Sequence, residues 1–471
     1  MRINKFLSVL ALCVAMFASQ SASAQLRTSY FMEGSYFRTE LNPALAPTRG
    51  YLALPGVSGV GVNLTSNFLS LNNLFVEKNG GLTSVFNSNV SDSALKALPE
   101  NPYLKLNSTV NVFGLGFYGG KSFWNIGVNA RVLGEANFSS NFFNELKKPT
   151  GAALTGSNID MTSYLEAYIG SSLRFHRTFS LGFRLKALFG VAQLNGDIQK
   201  VMRNNTRTTL SGKYSARGMF VSDNMKSKGK PFNFNTDYML DGKPNAGFAA
   251  DLGAEIRLWK DHIKLSAAVT DLGFIDWTGE RYMNNVNLNT QFNLPAGNVN
   301  DMFKFGKIGF EATGGNTVRK AERQDLNYTV NAGLEFNMFR NFLALGVLAR
   351  NVFESNDLLY TEFTASVNLR PTHWLSATVS KTMYIGDQFD DDIFGIALNF
   401  HPRLFNVFVG ADFASASMAR TSNGAVLFRT PTSRSIYAGV SFSFKRPKYV
   451  RVAQKEERAA RREARELKKQ N

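Results

Sequence analysis

Cysteine is almost absent: Cys13 stands alone in a chain of 471 residues. One thiol cannot build a disulfide scaffold. Charge is scarce too, because Asp, Glu, Lys and Arg supply 19% of the chain, against roughly a quarter in an ordinary soluble domain. Beyond the extreme N-terminus no apolar run reaches about 20 residues, which excludes a protein that crosses a membrane as helices. Disorder is excluded by what is abundant. Disordered chains lack aromatics and β-branched residues, whereas aromatics here reach 13%, with 40 Phe. Glycine adds 39 residues, and 53 Lys plus Arg outweigh 36 Asp plus Glu to leave +17. What remains is a large, Gly- and Phe-rich all-β protein.

Residues 1–24 read as an export signal. Arg2 and Lys5 precede the apolar stretch Phe6–Ala18, and Ser21-Ala22-Ser23-Ala24 offers small residues for cleavage, the arrangement of a secretory leader. Cys13 follows Leu12 inside the apolar stretch, where a lipoprotein signal would want a small residue. The mature chain is expected to begin at Gln25 and to hold no cysteine.

From residue 57 onward the pattern has a period of two. In Leu326 to Met338, one side reads Leu326, Tyr328, Val330, Ala332, Leu334, Phe336 and Met338, and the other Asn327, Thr329, Asn331, Gly333, Glu335 and Asn337. Successive strand side chains point to opposite faces, so one side is apolar and the other polar. Fourteen such segments are legible, at 57–63, 108–118, 123–138, 164–175, 179–190, 247–259, 263–274, 326–338, 342–353, 359–369, 374–385, 393–400, 404–414 and 435–444. Many exceed the common strand length of about five or six residues and meet the 9–11 or so that a tilted strand needs to cross a membrane.

The connections alternate as well. Tight ones fall at 119–121, 176–178, 260–262, 339–341, 370–373 and 401–403; mostly longer ones fall at 64–107, 139–163, 191–246, 275–325 and 415–434, with 354–358 and 386–392 as shorter members. Short periplasmic turns on one rim and longer external loops on the other mark an outer-membrane barrel. The expected fold is therefore an all-β transmembrane antiparallel β-barrel of about 14 strands (14–16), spanning 57–444, among the lipids of a Gram-negative outer membrane. Lys304 to Thr313 reads as one more strand or as part of a folded loop. Trp124, Trp259 and Trp374 sit beside tight turns, where amphipathic rings would form a girdle at the lipid–water boundary.

The side facing away from lipid carries Arg131, Glu166, Arg184, Asp251, Glu255, Arg257, Glu335 and Glu362, together with Arg174, Lys186, Lys264, Arg350 and Asp412. A lining of mixed sign argues against a strongly ion-selective pore and for charges paired across the lumen or satisfied by a plug. Residues 25–56 precede the first strand on the periplasmic rim and are long enough to fold into the lumen. They contain the turn former Asn42-Pro43, then Pro47 and Pro55. A plug or hatch is the expectation for this segment, and a disordered periplasmic leader is the other reading.

Particular motifs point further. Leu41-Asn42-Pro43-Ala44-Leu45-Ala46-Pro47 is followed by Arg49-Gly50-Tyr51 and Leu54-Pro55-Gly56; later come Gly247-Phe248-Ala249-Ala250-Asp251-Leu252-Gly253-Ala254 and Ala268-Val269-Thr270-Asp271-Leu272-Gly273-Phe274-Ile275-Asp276-Trp277. On these the chain resembles a Bacteroidetes outer-membrane barrel family of uncharacterised role, itself similar to FadL-type fatty-acid transporters and to the PorV component of type IX secretion. The resemblance implies a 14-stranded barrel with an N-terminal hatch at Asn42, Pro43 and Ala44. In the fatty-acid branch the hatch gates hydrophobic molecules; in the secretion branch the barrel carries exported substrates.

Chemistry is sparse. His176, His262, His373 and His401 all fall at or beside tight turns, with no metal-ligand spacing, and read as solvated turn residues. No G-x-S-x-G element is present, so no enzyme and no cofactor is expected. Asp387, Asp390, Asp391 and Asp392 form the densest acidic cluster, a weak candidate for Ca²⁺ that lacks the full EF-hand pattern. The tail, residues 445–471, carries 11 Lys plus Arg against 4 Glu. It reads as a solvated, partly helical periplasmic tail; the sharper alternative is electrostatic attachment to an acidic periplasmic partner or the cell wall, and nucleic acid is not expected there. Two functions follow: passive transport of a small hydrophobic molecule through a plugged lumen, or a non-transport role as a component or scaffold of an envelope or secretion machinery. Transport calls for a continuous apolar pocket. A scaffold calls for a filled, salt-bridged lumen.

Overall fold

In hydrocarbon no backbone donor or acceptor is satisfied by solvent, so a sheet crosses a membrane only by closing on itself. The structure, a computed structural model, describes residues 27–55, 58–78, 81–204, 207–218, 245–278, 281–290, 309–318, 321–385, 392–414, 418–420, 426–428 and 432–444. The expected signal at 1–24, most of the acidic cluster (Asp387, Asp390 and Asp391) and the tail at 445–471 lie outside the described residues.

The wall is a closed antiparallel ring of fourteen strands. They are β1 (Tyr51–Ala53 and Gly59–Ser66), β2 (Tyr103–Gly119), β3 (Ser122–Asn137), β4 (Asn158–Arg174), β5 (Phe179–Asn204), β6 (Asn245–Leu258) and β7 (Ile263–Trp277). There follow β8 (Glu322–Asp325 and Tyr328–Met338), β9 (Leu343–Glu354), β10 (Asp357–Thr372), β11 (Leu375–Ile385), β12 (Ile393–Phe400), β13 (Phe405–Ala414) and β14 (Thr432–Ser443). Each pairs with its neighbour in sequence, and β14 closes onto β1 through Val60↔Ala438 and Tyr51↔Ser443. All fourteen segments read from the alternating pattern are wall strands.

The wall is inside out relative to a soluble sheet. Along β8, Leu334 is 43% exposed and Phe336 41%, while Asn331 is 0% exposed and Glu335 6%. The same inversion continues around the ring: Val347, Val367, Val379, Ile396 and Val409 face outward, whereas Ser366, Thr378, Asn399 and Asn406 are buried. Hydrocarbon is the solvent that suits such an outer face, and the molecule is a transmembrane barrel. At the short-turn rim Trp259 and Trp374 are exposed beside Phe175, Phe339 and Phe342, and Trp124 packs on Phe183. Rings at one level around the outside form the girdle expected at a headgroup boundary.

The turns separate the rims. Phe339, Arg340 and Asn341 are all left-handed (φ 51°, 59° and 70°), as are Trp259, Lys260 and Asp261 in the equivalent β6–β7 turn. On the opposite rim β9 and β10 are joined by Ser355-Asn356 alone (φ 46° and 82°), the two-residue hairpin whose twist matches its strands. Elsewhere that rim is elaborate. β5 runs for 26 residues and pairs above the wall with the strand Arg207–Gly218, which pairs with Arg281–Thr290 and that in turn with Gly309–Val318. Of the stretch 304–313, residues 309–313 thus belong to this external extension and not to the ring, and 304–308 lie outside the described residues. Residues 67–78, 81–102 and 138–157 fold against the upper part of β5, burying Leu71, Phe75, Phe86, Phe142, Phe143 and Val201 in a separate apolar core.

The inverted wall makes a direct prediction. Leu334→Arg on the outer face should cost about 2–4 kcal/mol, read as a lower urea midpoint for unfolding from lipid vesicles.

Candidate functional site in the lumen

Residues 27–50 lie among the inward side chains of the wall, and nearly all of Arg27–Leu45 is buried. The wall is notched to receive them. A Cβ on Gly182 of β5 would overlap the backbone of Pro43 and Ala44, and one on Gly253 of β6 would overlap the Asn42 amide. Asn42 shapes the turn itself: its Oδ1 accepts from the Ala44 N–H at 2.9 Å, and its Nδ2 donates to the Ala267 carbonyl at 3.3 Å. Pro43, without an N–H, leaves no donor to satisfy at the bend. Further bonds tie the segment to the ring: Ser172 to the Ala44 carbonyl (2.9 Å), Asn331 to the Leu41 carbonyl (2.8 Å) and Asn406 to the Gly34 carbonyl (2.7 Å).

The segment has two unlike sides. Toward β1, β13 and β14 it is aromatic. Tyr36 stacks on Tyr51 with centroids 4.5 Å apart, and Phe37 meets Phe408 edge-on at 4.9 Å, within a cluster that includes Tyr437. Toward β7–β11 it carries its charges, with Tyr30 and Phe31 packed between them against Gly333 of β8 and Gly346 of β9. Arg27 makes a two-pronged pair with Glu362 (2.7 and 2.8 Å), and Arg350 reaches the same carboxylate at 3.4 Å. Glu33 receives Lys264 at 2.5 Å and Arg370 at 3.6 Å; both cations also bind Glu335, each at 2.8 Å.

A third ionic group spans five successive strands. Arg131 of β3 pairs with Glu166 of β4 at 3.2 Å, and Lys186 of β5 sits 2.7 Å from Asp251 of β6 and 2.6 Å from Asp271 of β7. Arg184 donates to Thr39 at 2.7 Å with its guanidinium over the Tyr168 ring. Of the charges read from the sequence, Arg131, Glu166, Arg184 and Asp251 therefore meet here, and Glu335 and Glu362 join the two groups that hold the segment. Glu255 and Arg257 pair with each other nearer the short turns.

Arg27, Glu33, Asp271 and Arg370 are the partners that alternation missed. Asp271 is instructive. Strict alternation from Lys264 turns even-numbered residues inward and Asp271 toward lipid. Instead Asp271 is left-handed (φ 63°) and its N–H bonds Asp251 Oδ1 at 2.7 Å. This irregularity shifts the parity of β7: Ala268 and Thr270 are buried before it, Ile275 and Trp277 after it, and Leu272 is exposed. An Asp between two otherwise regular half-strands was the available signal, because Asp tolerates the left-handed region better than most residues.

Two cavities lie toward opposite ends of the lumen, and the segment lines the inner one through Glu33, Ala46 and Thr48. The outer one, about 470 Å³, is lined by Leu106, Arg131, Tyr164, Asp271, Val352 and Tyr384 among others; the inner one, about 730 Å³, opens among the short turns. His176, His262 and His373 are exposed there, but His401 is buried. The expectation of four solvated histidines fails at His401, because the wall turns it in beneath Gly34, where a Cβ would overlap its ring. Asp392, the described member of the acidic cluster, pairs with Lys381 at 2.7 Å, and among the described residues no three His, Cys, Asp or Glu side chains gather as a metal site.

Two substitutions test the seating. Gly182→Leu should displace Asn42–Ala44 and expose residues 27–50 to limited proteolysis while the wall stays folded. Glu362→Gln leaves Arg27 as an unpaired buried cation, a loss of about 3–5 kcal/mol, read as faster amide exchange at Arg27–Phe31 and a lower unfolding midpoint.

Among solved structures the toluene transporter TbuX of Ralstonia pickettii is similar at 10% identity and a TM-score of 0.42, over 91% of this chain and 96% of that one. The Pseudomonas putida toluene transporter TodX is similar at 10% identity and a TM-score of 0.43, over 87% and 93%. A Pseudomonas aeruginosa FadL homologue is similar at 11% and 0.38, over 86% and 92%. Likeness so remote says nothing about cargo. No curated protein matches the sequence. The model of one family, described as of unknown function, matches residues 43–412, from the Pro43 bend through the ionic strands to β13: the chain belongs to the family DUF5723.

Proposed function

We propose that this protein is an outer-membrane conduit for a small hydrophobic or amphipathic molecule, held closed by residues 27–50 acting as a hatch. One observation carries the reading: a cavity of about 730 Å³ at the short-turn rim is lined by Glu33, Ala46 and Thr48 of the segment, and one of about 470 Å³ toward the elaborate rim is lined by Arg131, Asp271, Arg350 and Tyr384. A barrel built only to fill itself has no use for a vestibule at each end of its lumen. The outer cavity mixes Leu106, Leu133, Val352 and Leu359 with Lys105, Arg131, Glu135 and Glu354, a lining that suits an apolar body with a polar end. Passage is passive, and displacement of the segment joins the two spaces.

A second reading rests on its own observation. The barrier is filled and salt-bridged, as expected of a scaffold within an envelope or secretion machinery, and the cavities do not form one continuous apolar pocket. A crosslink separates the two. Thr28 Oγ1 and Ser380 Oγ lie 3.0 Å apart, so a Thr28→Cys/Ser380→Cys pair should form a disulfide between segment and wall. For a gated conduit, the oxidised form should abolish uptake of hydrophobic solutes into cells and reduction should restore it. Uptake unaffected by the crosslink, with no accumulation lost on gene deletion, would sink the conduit reading and leave the scaffold.

A further inference from the structure

We propose that the inner cavity is a binding site for a small oxyanion, a molecule carrying phosphate or carboxylate groups, taken up from the short-turn side. The inference stands whether or not anything crosses the barrel. The cavity there holds about 730 Å³, the size of an ordinary small-molecule pocket. Five permanent cations line it, namely Lys121, Arg174, Arg257, Arg340 and Arg370, and Glu33 is the one carboxylate in the lining. Glu33 is already engaged by Lys264 and Arg370, so it offers an incoming cation little.

Neutralisation within the lining is incomplete. Arg257 is paired with Glu255, and Arg370 with Glu33 and Glu335. Lys121 and Arg340 are exposed and have no ion-pair partner among the described residues. They stand on different turns, β2–β3 and β8–β9, and face the same space. Arg340 is also well placed in advance: its turn is fixed by three left-handed residues, and Asn341 Oδ1 accepts a hydrogen bond from Arg370. Ser180 and Ser376 supply neutral hydroxyls at the walls, and Asn341 an amide whose Nδ2 also donates to Glu33 at 3.3 Å. A concave site rich in donors, with uncompensated guanidinium and ammonium groups at its mouth, favours oxygen anions, since the guanidinium fork matches carboxylate and phosphate geometry.

The test is calorimetric titration of the detergent-solubilised full chain with inorganic pyrophosphate and with citrate at low salt. The expected result is one saturable site whose affinity falls with ionic strength. Lys121→Gln/Arg340→Gln should weaken it by about tenfold or more, with an unchanged heat-dependent shift in electrophoretic mobility confirming a folded barrel. Arg177→Gln/Arg403→Gln removes rim cations that do not line the cavity and should leave the affinity within about twofold. The proposal is overturned if neither anion binds, if the first variant binds as well as the parent, or if both variants lose affinity equally, which would make the surface field the cause. Nanodiscs identify the source of the anion, and both results support the site. Pyrophosphate binding lost in phosphatidylglycerol but kept in phosphatidylcholine means a lipid headgroup occupies it; equal binding in both means a free anion does.

Discussion

Everything in this molecule follows from the requirement that a sheet in hydrocarbon leave no edge. Closing fourteen strands satisfies the backbone of the ring, but it also creates an interior. One face of every strand now belongs to lipid, and the outer residues from Leu334 to Val409 meet that demand. The other face belongs to a lumen too wide for wall side chains alone to fill, since barrels of about eight strands fill themselves and those of 16–18 hold water. The interior therefore had to be polar, and its polar groups had to find partners. Residues 27–50 and the three ionic groups are how that demand is met.

This explains why the wall was legible in the sequence and the lumen only in part. Alternation reports which face a side chain occupies, and the lipid face is demanding enough to write the pattern clearly in all fourteen strands. Alternation says nothing about who meets whom across the ring. Arg370 sits in what reads as a tight turn, and in the fold its guanidinium reaches Glu335 and the Phe31 carbonyl. Arg27 and Glu33 belong to no strand, so no period marks them. The long external connections hid strands for a related reason: the extension from β5 through Arg207–Gly218 stands beyond the hydrocarbon, where nothing enforces an apolar face.

The two motifs at 247–254 and 268–277 gain a physical meaning from their pairing. They lie on adjacent strands, with Ala250 opposite Leu272 and Leu252 opposite Val269, and the register shift between those pairs is where Asp251 and Asp271 converge on Lys186. Regular alternation would have left one of these carboxylates in lipid. The irregularity brings both inward at the cost of a left-handed, non-glycine residue, which is tolerable because the Asp251 carboxylate takes up the N–H of Asp271. The motif is thus the sequence form of a local backbone exception that completes a charge group.

The division of the N-terminal segment into an aromatic side and an ionic side bears on how the proposed hatch would open. Replacing a buried ion pair with apolar contacts is often neutral or stabilising, so the three ionic groups do less to hold the segment in place than their number suggests. What they supply is registry: Arg27 fits Glu362, Glu33 fits Lys264 with Arg370, and no shifted seating pairs all of them. The stacked Tyr36–Tyr51 and the Phe37–Phe408 contact have no such substitute in water, because exposing those rings forfeits burial with nothing in return. Water entering from either vestibule, by contrast, solvates the charges it separates. In the proposed hatch, opening would begin where water reaches the ionic groups and would have to lift Tyr30 and Phe31 from Gly333 and Gly346, while Tyr36 and Phe37 stay as a hinge against β1 and β13.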